Sequence, residues 1–149
     1  MTKNQILINL SSSKNADFGK KDFLAQSPNQ QVFSTIWCLE GQVNNGGFQQ
    51  YFYNSSSETV PFLLNALNEI GATKTAQICQ AALECAFPLG LPSDPDVISE
   101  MAAHFSEAVE AQLELFDKQF FTYPEDLTEL LFQFVQNHPS DFGNLPHAS

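Results

Sequence analysis

Residues 43–56 read VNNGGFQQYFYNSS. Adjacent glycines weaken a helix, and Asn and Ser side chains compete for nearby backbone hydrogen bonds, so this stretch cannot be one regular element. It predicts a corner. The helical pattern before it stops at about Val43, and Phe48, Tyr51 and Phe52 then form the aromatic face of a short helix that anchors the corner in the core.

Upstream, Ser27-Pro28 is a helix start, with the hydroxyl as cap and proline at the first helical position. Val32, Ile36, Leu39 and Val43 follow at helical spacing, with Trp37 beside them as a core residue. Residues 1–26 hold Ile6, Leu7, Ile8 and Leu10, then Ser11-Ser12-Ser13 and the Lys-rich Lys14 to Lys21. No period is sustained there, so they read as a loosely packed arm with room for one short element.

Downstream, Ser57 can cap a helix through Val60, Leu63, Leu64, Leu67 and Ile70, which Gly71 ends in a left-handed turn. A further helix runs from about Thr73 to Phe87, with Ala76, Cys79, Leu83 and Phe87 on one face and Pro88 as its stop. Gly90, Pro92 and Pro95 make residues 89–96 a connecting loop. From Asp96 to about Phe121, the apolar residues Ile98, Ala102, Phe105, Val109, Leu113, Phe116 and Phe120 fall within about 80° of one another on a helical wheel. Glu100, Glu107, Glu110, Glu114 and Asp117 occupy the opposite arc. In one unbroken helix they form a stripe about 25 Å long, and Ser106 is the position at which a second cap would split it. Tyr123-Pro124-Glu125-Asp126 starts a last helix, through Leu127, Leu130, Leu131 and Phe134 to about Asn137. Residues 139–149 read as a polar tail in which Phe142 and Leu145 are able to fold back. No strand alternation appears, so the expected fold is all-α: a compact single domain, 27–138, of about five to seven helices.

A chain of 149 residues is one domain with a core of its own, burying roughly 70% of its unfolded surface. Cys38, Cys79 and Cys85 are odd in number and lack metal-ligand spacing, which points to free thiols in a reducing compartment. No stretch has the length of a membrane helix or the form of a secretory signal, and the expected location is the cytoplasm. Six lysines, no arginine and 17 acids give a net charge of −11, and residues 75–149 alone carry −11 while residues 1–21 carry +3. Such a surface repels nucleic acid and anionic membrane and attracts basic proteins, although acidity also serves solubility alone.

Catalysis requires an acid, base or nucleophile with an orienting neighbour. His104, His138 and His147 have no second ligand at helical spacing, Gly46-Gly47 is not followed by the Lys-Ser/Thr of a phosphate cradle, and no enzyme, metal or cofactor is expected. The corner carries two readings. Asn44, Asn45, Gln49, Gln50, Tyr51, Tyr53 and Asn54 can line a polar pocket for a small ligand or peptide, or they can supply the caps and turns that two helices meeting at an angle require.

The stripe is the sharper candidate. Carboxylates three or four residues apart on a helix recur every 4.5–6 Å or so, comparable with the roughly 7 Å between phosphates on one DNA strand. Joined by Glu125, Asp126 and Glu129, it can occupy the basic surface that a DNA-binding protein keeps for its operator. Val97, Met101, Ala108 and Leu115 form a second apolar strip, expected at a homodimer contact or under the N-terminal arm.

VNNGGFQQYFYNSS, the helix ending EIGA with its continuation KTAQICQAAL, and LFDKQFFTYPEDLTELL resemble a family of small acidic helical bacterial proteins, the DNA-mimic-protein family. The resemblance covers roughly Pro28 to His138. It implies an all-helical, dimeric protein that binds a helix-turn-helix transcription regulator by imitating DNA charge and releases it from its operator.

Overall fold

The computed structural model describes residues 1–12 and 21–148, so the Lys-rich stretch from Lys14 to Lys20 lies outside the described residues. Eight α-helices occur among the described residues, without a strand: α1 (Lys3–Ser11), α2 (Pro28–Tyr53), α3 (Leu63–Glu69), α4 (Thr73–Ala86), α5 (Pro95–Ala103), α6 (Glu107–Phe121), α7 (Leu127–Gln136) and α8 (Pro139–Phe142). The all-α expectation holds, with one element more than the upper figure because the chain's two ends also fold. No helix among these residues is long and apolar enough to cross a membrane.

The molecule is built around α2. Ser27 and Gln30 cap it reciprocally, the Ser27 hydroxyl accepting the Gln30 N–H at 3.3 Å and the Gln30 side chain accepting the Ser27 N–H at 2.9 Å. The helix does not end at Val43 as the sequence suggests. It continues through Asn45, breaks at Gly46 (φ −157°) and Gly47 (φ 80°), and resumes to Tyr53. The corner is thus a two-residue kink, and only its second residue needs glycine's access to positive φ. Phe48, Tyr51 and Phe52 beyond the kink are fully buried, as the aromatic spacing predicts. Phe48 meets Phe120 edge-on at 6.0 Å, and Phe52 meets Phe87 at 5.3 Å.

Around this axis pack the 3-10 segment Ser55–Phe62, α3, α5 and α6, with α4 laid across α3 and α6. The expected α-helix from Ser57 starts only at Leu63. Pro61 has no N–H to donate and its ring crowds the preceding turn, so the chain takes the tighter winding first. Gly71 at φ 84° ends α3, and Pro88 follows α4, both as expected.

Three expectations are corrected. Residues 1–12 are not a loose arm: Thr2 caps α1, and Ile6, Leu7 and Leu10 are fully buried, with α1 lying against α7. The segment from Asp96 to Phe121 is not one helix. α5 ends at Ala103, and Ser106 caps α6 by accepting the Val109 N–H at 3.2 Å. Residues beyond 138 are not all tail, for Phe142 is fully buried against Phe33 and Phe134, while Asp141 accepts from Ser27 (2.7 Å) and Asn29 (2.9 Å) at the start of α2.

Candidate functional site

The break at Ser106 reshapes the acidic stripe. Glu107, Glu110 and Glu114 remain on one face of α6, the first two in the turn where the helix dipole favours negative charge. Glu107 and Glu114 are exposed and Glu110 half-buried, and none of the three carboxylates has a hydrogen-bond or ion-pair partner among the described residues. Their rise along the axis is about 4.5 Å and about 6 Å. Lys118, one turn beyond Glu114, ends the anionic run. Glu100 stands on α5 instead, exposed, with Oε1 3.4 Å from Nδ1 of His104.

The other four carboxylates assigned to the stripe are structural. Asp117 Oδ1 accepts the Phe48 N–H at 2.8 Å, so its carboxylate holds the backbone immediately after the kink. Burial raises the Asp117 pKa, the Phe48 N–H opposes this, and Glu114 adds to the rise. Glu125 accepts N–H groups of Lys74 (3.1 Å) and Thr75 (2.8 Å) and the Thr75 hydroxyl (2.9 Å), which makes it the cap of α4 from a distant part of the chain. Burial raises its pKa, but these donors and the Lys74 charge outweigh that and leave it below its ordinary value. Asp126 caps α7 through the Glu129 N–H at 3.1 Å, and Glu129 pairs with Lys3 of α1, whose ammonium also lies 5.5 Å from the Phe132 ring centroid. A carboxylate engaged by its own backbone has fewer lone pairs to offer a partner, so the candidate surface contracts to Glu100, Glu107, Glu110 and Glu114.

The corner residues divide between two concavities and the interior. Tyr51 is fully buried, its hydroxyl 2.7 Å from Oγ1 of Thr59, and does not line a surface at all. Gln49 donates to the Ala102 carbonyl at 3.2 Å, Asn54 and Gln50 both donate to Oε1 of Gln42 at 2.7 and 2.9 Å, and Asn44 donates to the Tyr123 hydroxyl at 2.8 Å. Asn45 is simply exposed. A concavity of about 520 Å³ gathers Gln49, Gln50, Tyr53 and Asn54 beside α5, while Asn44 belongs to a separate one. The amides therefore knit the kink to its neighbours, while Asn54 makes no side-chain cap and the positive-φ turn foreseen here comes from Gly47 alone.

The sequence reading places Trp37 in the core and assigns Glu40 no role. Trp37 is half-buried, not core, and with Glu40 and Asn44 it falls on one face of α2 at spacings of three and four, a signal that was legible but lay beside the stronger Val32–Val43 stripe. The secondary apolar strip is open: Val97 is 44%, Met101 39% and Leu115 51% exposed, Ala108 is exposed too, and α1 lies on α7 instead. The thiols are unsuited to nucleophilic work. Burial, with Glu58 adding to it, pushes Cys38 up to about 11, and burial raises Cys79 and Cys85 as well.

No curated protein and no solved structure matches the chain. The sequence signature of the DMP19-like proteins matches residues 25–138. That stretch spans α2 to α7 and includes both the kink and the carboxylates of α6, and the chain belongs to the DMP19-like protein family.

Proposed function

We propose that this is an acidic protein-binding module of the cytoplasm, which occupies the DNA-contacting surface of a basic DNA-binding protein, such as a helix-turn-helix transcription regulator, and competes with its operator. The observation that carries the reading is the row of Glu107, Glu110 and Glu114 on one face of α6, the first and last exposed and Glu110 half-buried, without a cationic partner among the described residues. Charge that a protein does not neutralise internally is free to meet a partner's lysines and arginines, with Glu100 on α5 as a flanking contact. The net charge of −11 and the sequence resemblance to DNA-mimic proteins support the same reading.

The corner offers a ligand little by comparison, since most of its amides are hydrogen-bonded within the fold. The deciding experiment is capture from a bacterial lysate at about 50 mM and about 200 mM salt, with the wild type beside a Glu107→Gln, Glu110→Gln, Glu114→Gln triple variant. The expected result is recovery of a DNA-binding protein that the wild type displaces from its operator, with recovery falling about tenfold at the higher salt and again in the variant. Equal recovery by variant and wild type would leave the row as a solvated helix face.

A further inference from the structure

A cavity of about 330 Å³ opens between α1, α2 and α7, within the size range of small-molecule sites. Leu7 and Ile8 from α1 and Leu131 from α7 give it an apolar side, and Asn4, Asn44 and Thr128 add polar groups. Trp37 supplies an aromatic side, its indole held by parallel stacking on Phe33 at 5.6 Å. One anion lies in it: the half-buried carboxylate of Glu40, for which no cationic partner occurs among the described residues.

Glu40 is held in place at some cost. Tyr123 takes φ 46°, in the left-handed region that a bulky residue rarely adopts, and its hydroxyl stands 3.4 Å from Glu40 Oε2 and 2.8 Å from the Asn44 amide. Burial raises the Glu40 pKa, the Tyr123 hydroxyl opposes this, and Asp126 adds negative charge nearby. A cation placed here offsets the cost of the buried negative charge and the repulsion from Asp126.

We propose that this cavity binds an organic ammonium ion, with the alkyl chain between Leu7, Ile8 and Leu131, and the charged head against Glu40 and the indole of Trp37. Hydrogen bonding to a carboxylate and attraction to an aromatic ring are the two interactions that distinguish an ammonium from a neutral or anionic ligand of the same shape. The chemistry is that of a free alkylamine or of a lysine side chain on another protein. α1, which supplies Leu7 and Ile8, lies outside the stretch matched by the family.

Trp37 is the chain's one tryptophan, so its fluorescence reports on the cavity directly. The probes are n-butylammonium, Nα-acetyl-lysine methylamide, n-butanol and pentanoate, titrated to about 10 mM, the weak end of specific binding. Saturation by an ammonium probe is expected, with no saturation by butanol or pentanoate. Glu40→Gln should weaken it about tenfold or more at unchanged fold. Gly41→Leu should do the same by filling the space, since a Cβ at Gly41 meets nothing within 4 Å. Circular dichroism confirms that both variants are folded. Saturation by both ammonium probes is expected of a cavity open to a partner's lysine as well as to a free amine, saturation by butylammonium alone points to a free amine, and saturation by the lysine derivative alone points to a partner's side chain. Failure of both ammonium probes, an equal response to butanol, or undiminished binding by folded Glu40→Gln overturns the proposal.

Discussion

Between Gly47 and Asp117 a backbone turn and a carboxylate approach so closely that a Cβ added at Gly47 would stand 2.3 Å from Asp117 Oδ2. Two effects then oppose alanine at Gly47: its φ of 80° and the displacement of the side chain that holds the Phe48 N–H. Gly47→Ala should cost about 2–4 kcal/mol in urea unfolding, and Asp117→Ala about 1–3 kcal/mol for an unsatisfied N–H. The two are coupled. In the Asp117→Ala background the Gly47→Ala cost should shrink to the roughly 1–2 kcal/mol of backbone strain, whereas equal costs in both backgrounds would show that the carboxylate does not brace the kink. Nothing in the sequence announces this pairing, because Asp117 falls in the same helical arc as Glu110 and Glu114. Local periodicity cannot distinguish a carboxylate facing water from one facing a backbone 69 residues away.

Among the elements, α4 depends on a cap that it does not carry. Ala72 precedes it and has no side chain to offer, so the first N–H groups are met by Glu125 across the fold. Glu125→Ala should lower stability by about 1 kcal/mol at neutral pH. The Glu125 pKa is lowered in the folded protein, so the folded state binds fewer protons than the unfolded one as pH falls through this group's range. Its contribution is complete above the unfolded value of 4.5 and is lost as pH falls below that through the folded value. The gap in melting temperature between wild type and Glu125→Ala should therefore close as pH falls below 4.5, and a gap independent of pH would exclude the carboxylate as the cap. Where an element carries its own signals it was readable. α2 begins at Ser27-Pro28 and α4 stops before Pro88, both as the residue types require. The α5–α6 break was also readable, because Ser106 has the chemistry of a cap, yet the apolar spacing runs through it undisturbed and favours a single helix. α1 was hidden: nine residues with Ile6, Leu7 and Leu10 among polar neighbours sustain no period, and only packing on α7 makes the helix stable.

For the whole molecule, burial of α1 makes residues 1–12 part of the core and not an appendage. Burying one such aliphatic side chain contributes roughly 1.5–3 kcal/mol, and Ile6, Leu7 and Leu10 are all fully buried. Against a total stability of about 5–15 kcal/mol, deletion of residues 1–12 should move the urea midpoint far downward or leave the protein partly unfolded. An unchanged midpoint would mean that α1 adds nothing to the fold. Fold class was legible throughout, because helical spacing recurs along most of the chain. The acidic site was legible only as a composition: which carboxylates are free is decided by contacts such as Lys3 to Glu129, which join residues 126 positions apart.

That separation also sets an order of events during synthesis. α1 leaves the ribosome first, but its apolar face has no seat until α7 follows. At roughly 5–20 residues per second, 126 residues take about 6–25 s, during which Ile6, Leu7 and Leu10 are exposed to whatever is nearby. A hydrophobic segment left open for seconds is exposed to non-native contacts, and it closes only when α1 meets α7.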